Sequence, residues 1–129
     1  MKKSALIIDD SAYARKVIGM ALNKAGYEDI VFAETGEEAI DAAIRLNPDF
    51  ITLDNVLPDM LGLDILKVIK EEELKADVLI ISAIGQQSAV EDGLKLGAFK
   101  YIVKPFTLDD VMAALTELAT KKVQLSIQS

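Results

Sequence analysis

The sequence predicts a doubly wound α/β sandwich, (βα)5, in which five parallel strands alternate with five helices. Two observations carry this prediction. Short apolar runs recur along the chain and are mostly continuous rather than alternating, as expected of strands that are buried on both faces. Each run is followed by a segment whose apolar residues recur at three- and four-residue steps, which is typical of an amphipathic helix. The 129 residues fit one domain.

The predicted strands occupy residues 5–9, 30–33, 50–54, 78–82 and 99–103. Lys100 lies inside the last run, and a charged residue there is typical of a strand at the edge of a sheet.

The helix boundaries are marked by capping residues. Ser11, Thr35 and Thr107 each precede an apolar stripe, and their side-chain oxygens can accept hydrogen bonds from the first free amides of a helix. Gly26 follows the first stripe and is expected to end that helix.

The last two helices carry further expectations. The fourth helix, over residues 86–96, has the thinnest apolar stripe, chiefly Val90 and Leu94, so little packing should fix its position. The fifth helix is expected to fade into a polar tail. We therefore assign residues 1–122 to the domain and residues 123–129 to a C-terminal tail.

Composition excludes several classes of function. With 14 basic and 21 acidic residues the net charge is −7, which argues against direct binding to nucleic-acid phosphates or to an anionic membrane surface. The absence of cysteine and histidine excludes disulfides, thiol chemistry, a histidine base and a histidine-bearing zinc site. The apolar start ends at Asp9, too early for a signal peptide, and the run 78–84 is far shorter than the ~20 residues of a membrane span. We expect a soluble, cytoplasmic protein.

Polar side chains follow four of the apolar runs. Asp9 and Asp10 end the first, Asp54 the third and Ser82 the fourth, and Lys104 follows the fifth. In open parallel sheets, ligands bind beyond the carboxyl ends of the strands. The sequence therefore predicts one site at this edge.

The charges of that site favour a cation and an anion together. Asp9, Asp10 and Asp54 would repel one another unless a cation lay among them, and Mg²⁺ prefers such oxygen ligands. Lys104 and Ser82 could hold an anion built at Asp54. Phosphoryl transfer needs little more than positioning and charge neutralisation, so a phosphoryl group on Asp54 fits this pattern.

Four features occur in order over roughly residues 3–121: an acidic pair after the first strand, Asp54 at the end of the third, Ser82 after the fourth and Lys104-Pro105 after the fifth. Together they resemble the receiver domains of two-component response regulators. Within that family, the stand-alone chain and the run 82–87 resemble chemotaxis regulators of the CheY type. Asn55 departs from the apolar residue usual after the phosphoacceptor. The resemblance implies a flavodoxin-like fold with a parallel sheet of strand order 2-1-3-4-5.

The resemblance also implies roles for individual residues. Asp54 would be the phosphoacceptor and a Mg²⁺ ligand, Asp10 a direct Mg²⁺ ligand, and Asp9 a ligand mainly through water. The main-chain carbonyl of Val56 would complete the protein's share of the metal shell. Asp9 and Asp10 could alternatively only cap the first helix.

A second group would respond to phosphorylation. By resemblance, Ser82 hydrogen-bonds the phosphoryl group, Lys104 forms a salt bridge to it, and Tyr101 changes rotamer on activation, although Tyr101 could serve packing alone. The bond before Pro105 is expected to be cis. Val56 and Ile84 are apolar beside the expected path of an attacking water, which implies slow self-hydrolysis.

The implied partners are a histidine kinase as phosphodonor, a target protein such as a flagellar motor switch, and a phosphatase. The target would bind the face of helix four, strand five and helix five of a monomer. One alternative is a receiver domain cut from a larger regulator with an output domain. Others are a phosphatase or phosphotransferase with an aspartyl nucleophile, a flavodoxin-like electron carrier, and a pseudo-receiver without chemistry.

Overall fold

The computed structural model describes residues 2–128 and contains a five-stranded parallel sheet of order β2-β1-β3-β4-β5 with helices on both faces. The strands are β1 (Lys3–Ile8), β2 (Tyr27–Ala33), β3 (Phe50–Leu53), β4 (Asp77–Ser82) and β5 (Lys100–Val103). The helices are α1 (Ala12–Lys24), α2 (Gly36–Leu46), α3 (Gly62–Glu71), α4 (Gln87–Lys95) and α5 (Leu108–Gln128). The predicted fold class and strand order are confirmed.

The sheet separates two apolar cores. Leu6 and Ile8 of β1 pack in the core that also holds α2 and α3, whereas Ala5 and Ile7 pack in the core beneath α1 and α5. Alternate residues of a strand point to opposite faces, so a strand covered on both faces must be apolar throughout. This explains the continuous apolar runs.

The predicted capping residues act as expected. Ser11 Oγ accepts the amide hydrogen of Ala14, and Thr35 Oγ1 accepts that of Glu38, both at 3.2 Å. Thr107 Oγ1 accepts from the Asp110 amide at 3.2 Å. Gly26 has a φ of +97°, which lets the chain leave α1 without strain.

Strand β2 begins at Tyr27, three residues before the predicted start at residue 30. The Tyr27 ring packs against Phe50, with 5.6 Å between centroids, and Lys3 Nζ lies 5.4 Å from its centre. Glu28 and Asp29 are exposed, which an edge strand allows. Because these two residues are polar, the sequence did not predict the first part of β2.

The expected end of the fifth helix needs correction, and so does one residue of the thin apolar stripe expected in the fourth. The chain does not fade into a tail at residue 123, because α5 continues through Gln128. No glycine or proline interrupts residues 119–128, so the helix can propagate although the side chains there are exposed. In α4 the buried residue is Gly93, while Leu94 is 44% exposed. Met1 and Ser129, the outer ends of the predicted domain and tail, lie outside the described residues.

Within residues 2–128, none of the helices combines the length and apolar character that crossing a membrane requires.

A buried hydroxyl in β3 yields a test of the packing. Thr52 is 1% exposed, and its Oγ1 has no hydrogen-bond partner in the described part of the chain. Thr52→Val keeps the shape and removes the unsatisfied group, so the free energy of unfolding should rise by about 1 kcal/mol in urea titrations. Thr120→Val, on the exposed part of α5, should leave it unchanged. A loss of stability in Thr52→Val would contradict this picture.

Candidate functional site

The site lies at the edge where the carboxyl ends of the strands meet. Asp9, Asp54 and Lys104 each follow a strand directly, and each is fixed by a hydrogen bond to the neighbouring strand. The Asp9 amide donates to Ala33 O at 3.0 Å, the Asp54 amide to Ile8 O at 2.9 Å, and the Lys104 amide to Ser82 O at 2.8 Å. The predicted convergence of these strand ends is therefore observed.

Three carboxylates form a compact cluster. Oxygen atoms of Asp9, Asp10 and Asp54 all lie within 4.8 Å of one another. Asp9 and Asp54 are 1% and 5% exposed, while Asp10 is open to solvent. Asp9 and Asp54, which are shielded from water, repel each other, so a positive charge beside them stabilises the cluster.

Lys104 supplies part of that charge. Its Nζ lies 3.0 Å from Asp54 Oδ2 and 3.0 Å from Asp9 Oδ2. Burial alone would lower the pKa of Lys104, but the adjacent Asp9 and Asp54 carboxylates raise it above its ordinary value. The side chain is thus a charged ammonium at neutral pH, bridging two of the three acids.

The two oxygens of Asp9 have different partners. Asp9 Oδ1 accepts the Ser11 amide at 2.9 Å, whereas Oδ2 is paired with Lys104 Nζ at 3.0 Å. Burial raises the pKa of Asp9, although the Ser11 amide and Lys104 oppose the rise. Three carboxylates against one ammonium leave excess negative charge around hard oxygen donors. These residues fit a divalent cation such as Mg²⁺.

The loop of residues 55–62 continues the site beyond Asp54. Asp54 Oδ1 accepts the Val56 amide at 3.1 Å, and Val56 forms an antiparallel bridge with Leu61. Gly62 lies so close to the phosphoacceptor candidate that a β-carbon there would sit 2.3 Å from the Asp54 carbonyl oxygen. Only glycine permits this closure of the loop.

Asn55, the departure from the family pattern, has a structural reason. It is 3% exposed, and its Oδ1 accepts the Leu63 amide at 3.1 Å. Leu61 at the N-cap position of α3 offers no side-chain acceptor. Asn55 therefore caps α3 from the end of the neighbouring strand.

Ser82 and Tyr101 meet at the main chain of one residue. Ser82 Oγ accepts the Ile84 amide at 3.2 Å, and Tyr101 Oη donates to the Ile84 carbonyl at 2.6 Å. In this structure Ser82 is bonded to this loop rather than to the carboxylates. The sequence held no signal for the Ile84 contacts because they involve only its backbone.

The contacts of Arg15 were also not predicted from the sequence. Its Nη1 donates to the Asp9 carbonyl at 2.9 Å, and its Nη2 pairs with Glu34 Oε1 at 2.9 Å. A basic residue one turn into the helix after an acidic pair was the only available clue. The expected cis bond between Lys104 and Pro105 is present.

A protein-family model and proteins of known function were compared with the chain, and the matches point to the same family. The model of the response regulator receiver domain matches residues 5–116. The chain is 39% identical to the chemotaxis protein CheY of Thermotoga maritima over 119 residues, covering 92% of this chain and 99% of that protein. It is also 39% identical to a protein-glutamate methylesterase/protein-glutamine glutaminase of Archaeoglobus fulgidus, covering 94% of this chain but 35% of that protein.

The fold agrees with the same family. A crystal structure of the CheX-CheY-BeF3-Mg complex from Borrelia burgdorferi matches with a TM-score of 0.83 at 34% identity, covering 90% of this chain and 88% of that chain. The family model matches most of the chain, the Thermotoga CheY aligns over nearly its whole length, and the Borrelia CheY has the same architecture. This chain therefore belongs to the response regulator receiver domain family.

Proposed function

We propose that the chain is a phosphorylation-controlled switch of a two-component system. A histidine kinase would donate its phosphoryl group to Asp54, and the modified site would change the affinity of the α4–β5–α5 face for a target protein. The observation that carries this proposal is the Lys104 ammonium held 3.0 Å from Asp54 within a cluster of three carboxylates. Membership of the receiver family supports it.

The transfer step uses Asp54 as the nucleophile. A carboxylate oxygen of Asp54 forms the new bond to phosphorus while the phosphorus–nitrogen bond of the phosphohistidine breaks. The imidazole nitrogen of the kinase takes the electron pair of that bond. Lys104, already adjacent to Asp54, is placed to offset the charge of the phosphoryl oxygens as they arrive.

The acidic cluster would bind Mg²⁺. Asp10, Asp54 and the Val56 carbonyl would hold the ion directly, and Asp9 mainly through water. The bound ion neutralises charge on phosphoryl oxygens. The excess negative charge of three carboxylates around one ammonium supports this assignment.

The switch would run through Ile84. If Ser82 turns its hydroxyl toward a phosphoryl group on Asp54, the Ile84 amide loses its present acceptor. The loop around Ile84, whose carbonyl accepts the hydrogen bond from Tyr101, can then move. Helix α4 is a suitable responder because Gly93 is its one fully buried residue among those described. A coupling of about 2 kcal/mol would change the ratio of two states roughly 30-fold.

The partners follow from the same assignment. The similarity to the Thermotoga CheY supports a chemotaxis regulator that acts on a target such as a flagellar motor switch. The Borrelia structure pairs CheY with CheX, which supports a further protein partner here. The side chains of Val56 and Ile84 are apolar and cannot orient an attacking water, so rapid dephosphorylation would need a phosphatase. The Archaeoglobus match favours one alternative, a receiver domain belonging to a larger regulator.

The proposal predicts that a small acyl phosphate with Mg²⁺ adds a single phosphoryl group to the chain, and that Asp54→Ala prevents it. Intact-mass spectrometry measures both results. Asp64→Ala is a matched control, since Asp64 is an exposed carboxylate on α3 and its loss should leave the modification unchanged. Modification of Asp54→Ala to the same extent as the parent would refute the assignment.

A second prediction concerns the metal. Asp10→Ala should lower Mg²⁺ affinity at least about tenfold, because it removes a direct carboxylate ligand, and Asp9→Ala should lower it less. Calorimetric or NMR titration of the unphosphorylated chain gives the dissociation constants. Asp41→Ala, which removes an exposed acid on α2, should leave the affinity near that of the parent. Equal affinities in Asp10→Ala and the parent would exclude the ligand role.

A further inference from the structure

The loop of residues 55–62 carries the Val56 carbonyl but has few side chains that hold it in place. Its two arms are joined by hydrogen bonds from Gly62 N to Asn55 O at 2.8 Å and from Leu57 N to Met60 O at 3.2 Å. Leu57 is buried, whereas the side chains of Val56 and Leu61 are about half exposed. Burial of Asn55 and Leu57 and packing of Met60 against the core fix the arms of the loop, so the exposed tip at residues 58–59 must be held by other contacts.

The tip is attached to the start of α2. Asp59 Oδ1 accepts the Gly36 amide at 2.7 Å, and Asp59 Oδ2 accepts the Glu37 amide at 3.1 Å. These residues are 22 and 23 positions apart in the sequence. The two amide hydrogen bonds, that from Gly36 above all, hold the pKa of Asp59 below its ordinary value, so the carboxylate is charged at neutral pH.

Shape complementarity accompanies the hydrogen bonds. A β-carbon on Gly36 would lie 2.2 Å from Met60 Cγ, so the Met60 side chain occupies the space that any larger residue at position 36 would need. The next amide of α2, that of Glu38, is already accepted by Thr35 Oγ1. Helix α2 thus has a cap of its own, and Asp59 forms a second cap that belongs to the loop.

We infer that Asp59 is a positioning residue, which fixes the loop on α2 and thereby aims the Val56 main chain at the acidic cluster. This role rests on the proposed function. Val56 already donates its amide to Asp54 Oδ1, so a displacement of the loop tip reaches the cluster through a short, hydrogen-bonded path. Groups that orient metal ligands from behind typically change metal affinity by 10–100-fold when they are removed.

The test compares three variants of the full chain by Mg²⁺ titration and by amide hydrogen exchange at Leu57 and Gly62. Asp59→Ala should lower Mg²⁺ affinity about tenfold and speed exchange at both amides. Asp59→Asn keeps an oxygen that can accept from Gly36, so it should recover most of both losses. Thr35→Ala weakens the other cap of α2 without touching the loop, and it should change neither readout.

Each alternative explanation has its own outcome. If Thr35→Ala lowers the affinity as much as Asp59→Ala, fraying of α2 is the cause and the positioning role is wrong. Asp59→Asn keeps an acceptor for the Gly36 amide and loses the one for Glu37. If it is as deficient as Asp59→Ala, the Gly36 hydrogen bond does not hold the loop, which also overturns the role. Unchanged exchange at Leu57 and Gly62 in Asp59→Ala overturns it as well.

Failure of the proposed function is distinguishable from failure of this role. A parent chain that binds no Mg²⁺ and accepts no phosphoryl group would overturn both. If the parent binds Mg²⁺ and Asp59→Ala binds it equally well, the positioning role alone is overturned.

Discussion

The site depends on one geometric constraint, the meeting of parallel strand ends at a single edge. The residues that follow β1, β3 and β5 are each held by a last hydrogen bond to a neighbouring strand, as Asp54 is to Ile8 and Asp9 is to Ala33. Two carboxylates are thereby forced together in a buried position, and Lys104 is brought against both from the far strand. The acid cluster is therefore a direct consequence of the strand order.

This arrangement is not optimised for stability. A buried carboxylate such as Asp9 is costly even when it is paired, and a single ammonium does not balance three acids. A core built for stability alone would place neutral residues there. Under the proposed function, a divalent cation would offset the retained negative charge, and the cation and Lys104 together would offset the charge of a phosphoryl group on Asp54.

Much of this could be predicted from the sequence, because strands buried on both faces are continuous apolar runs and because capping residues mark helix starts. The site followed from the residues at the strand ends. The start of β2 was missed because Glu28 and Asp29 on an edge strand look like a turn, and the length of α5 because its last turns are exposed. The hydrogen bond from Tyr101 to the Ile84 carbonyl and that from the Gly36 amide to Asp59 join segments far apart in the sequence, and such pairs leave no periodic pattern.

The central claim is that the edge carries a phosphoryl group on Asp54 rather than on another oxygen. Borohydride reduces an acyl phosphate to an alcohol but leaves a phosphate ester intact, so the chain can be treated with a small phosphodonor and Mg²⁺, reduced, and sequenced by tandem mass spectrometry. We predict that the side chain at position 54 alone is converted to that of homoserine. Conversion at Asp9 or Asp10, or an unreduced phosphate on Ser82, would contradict the account.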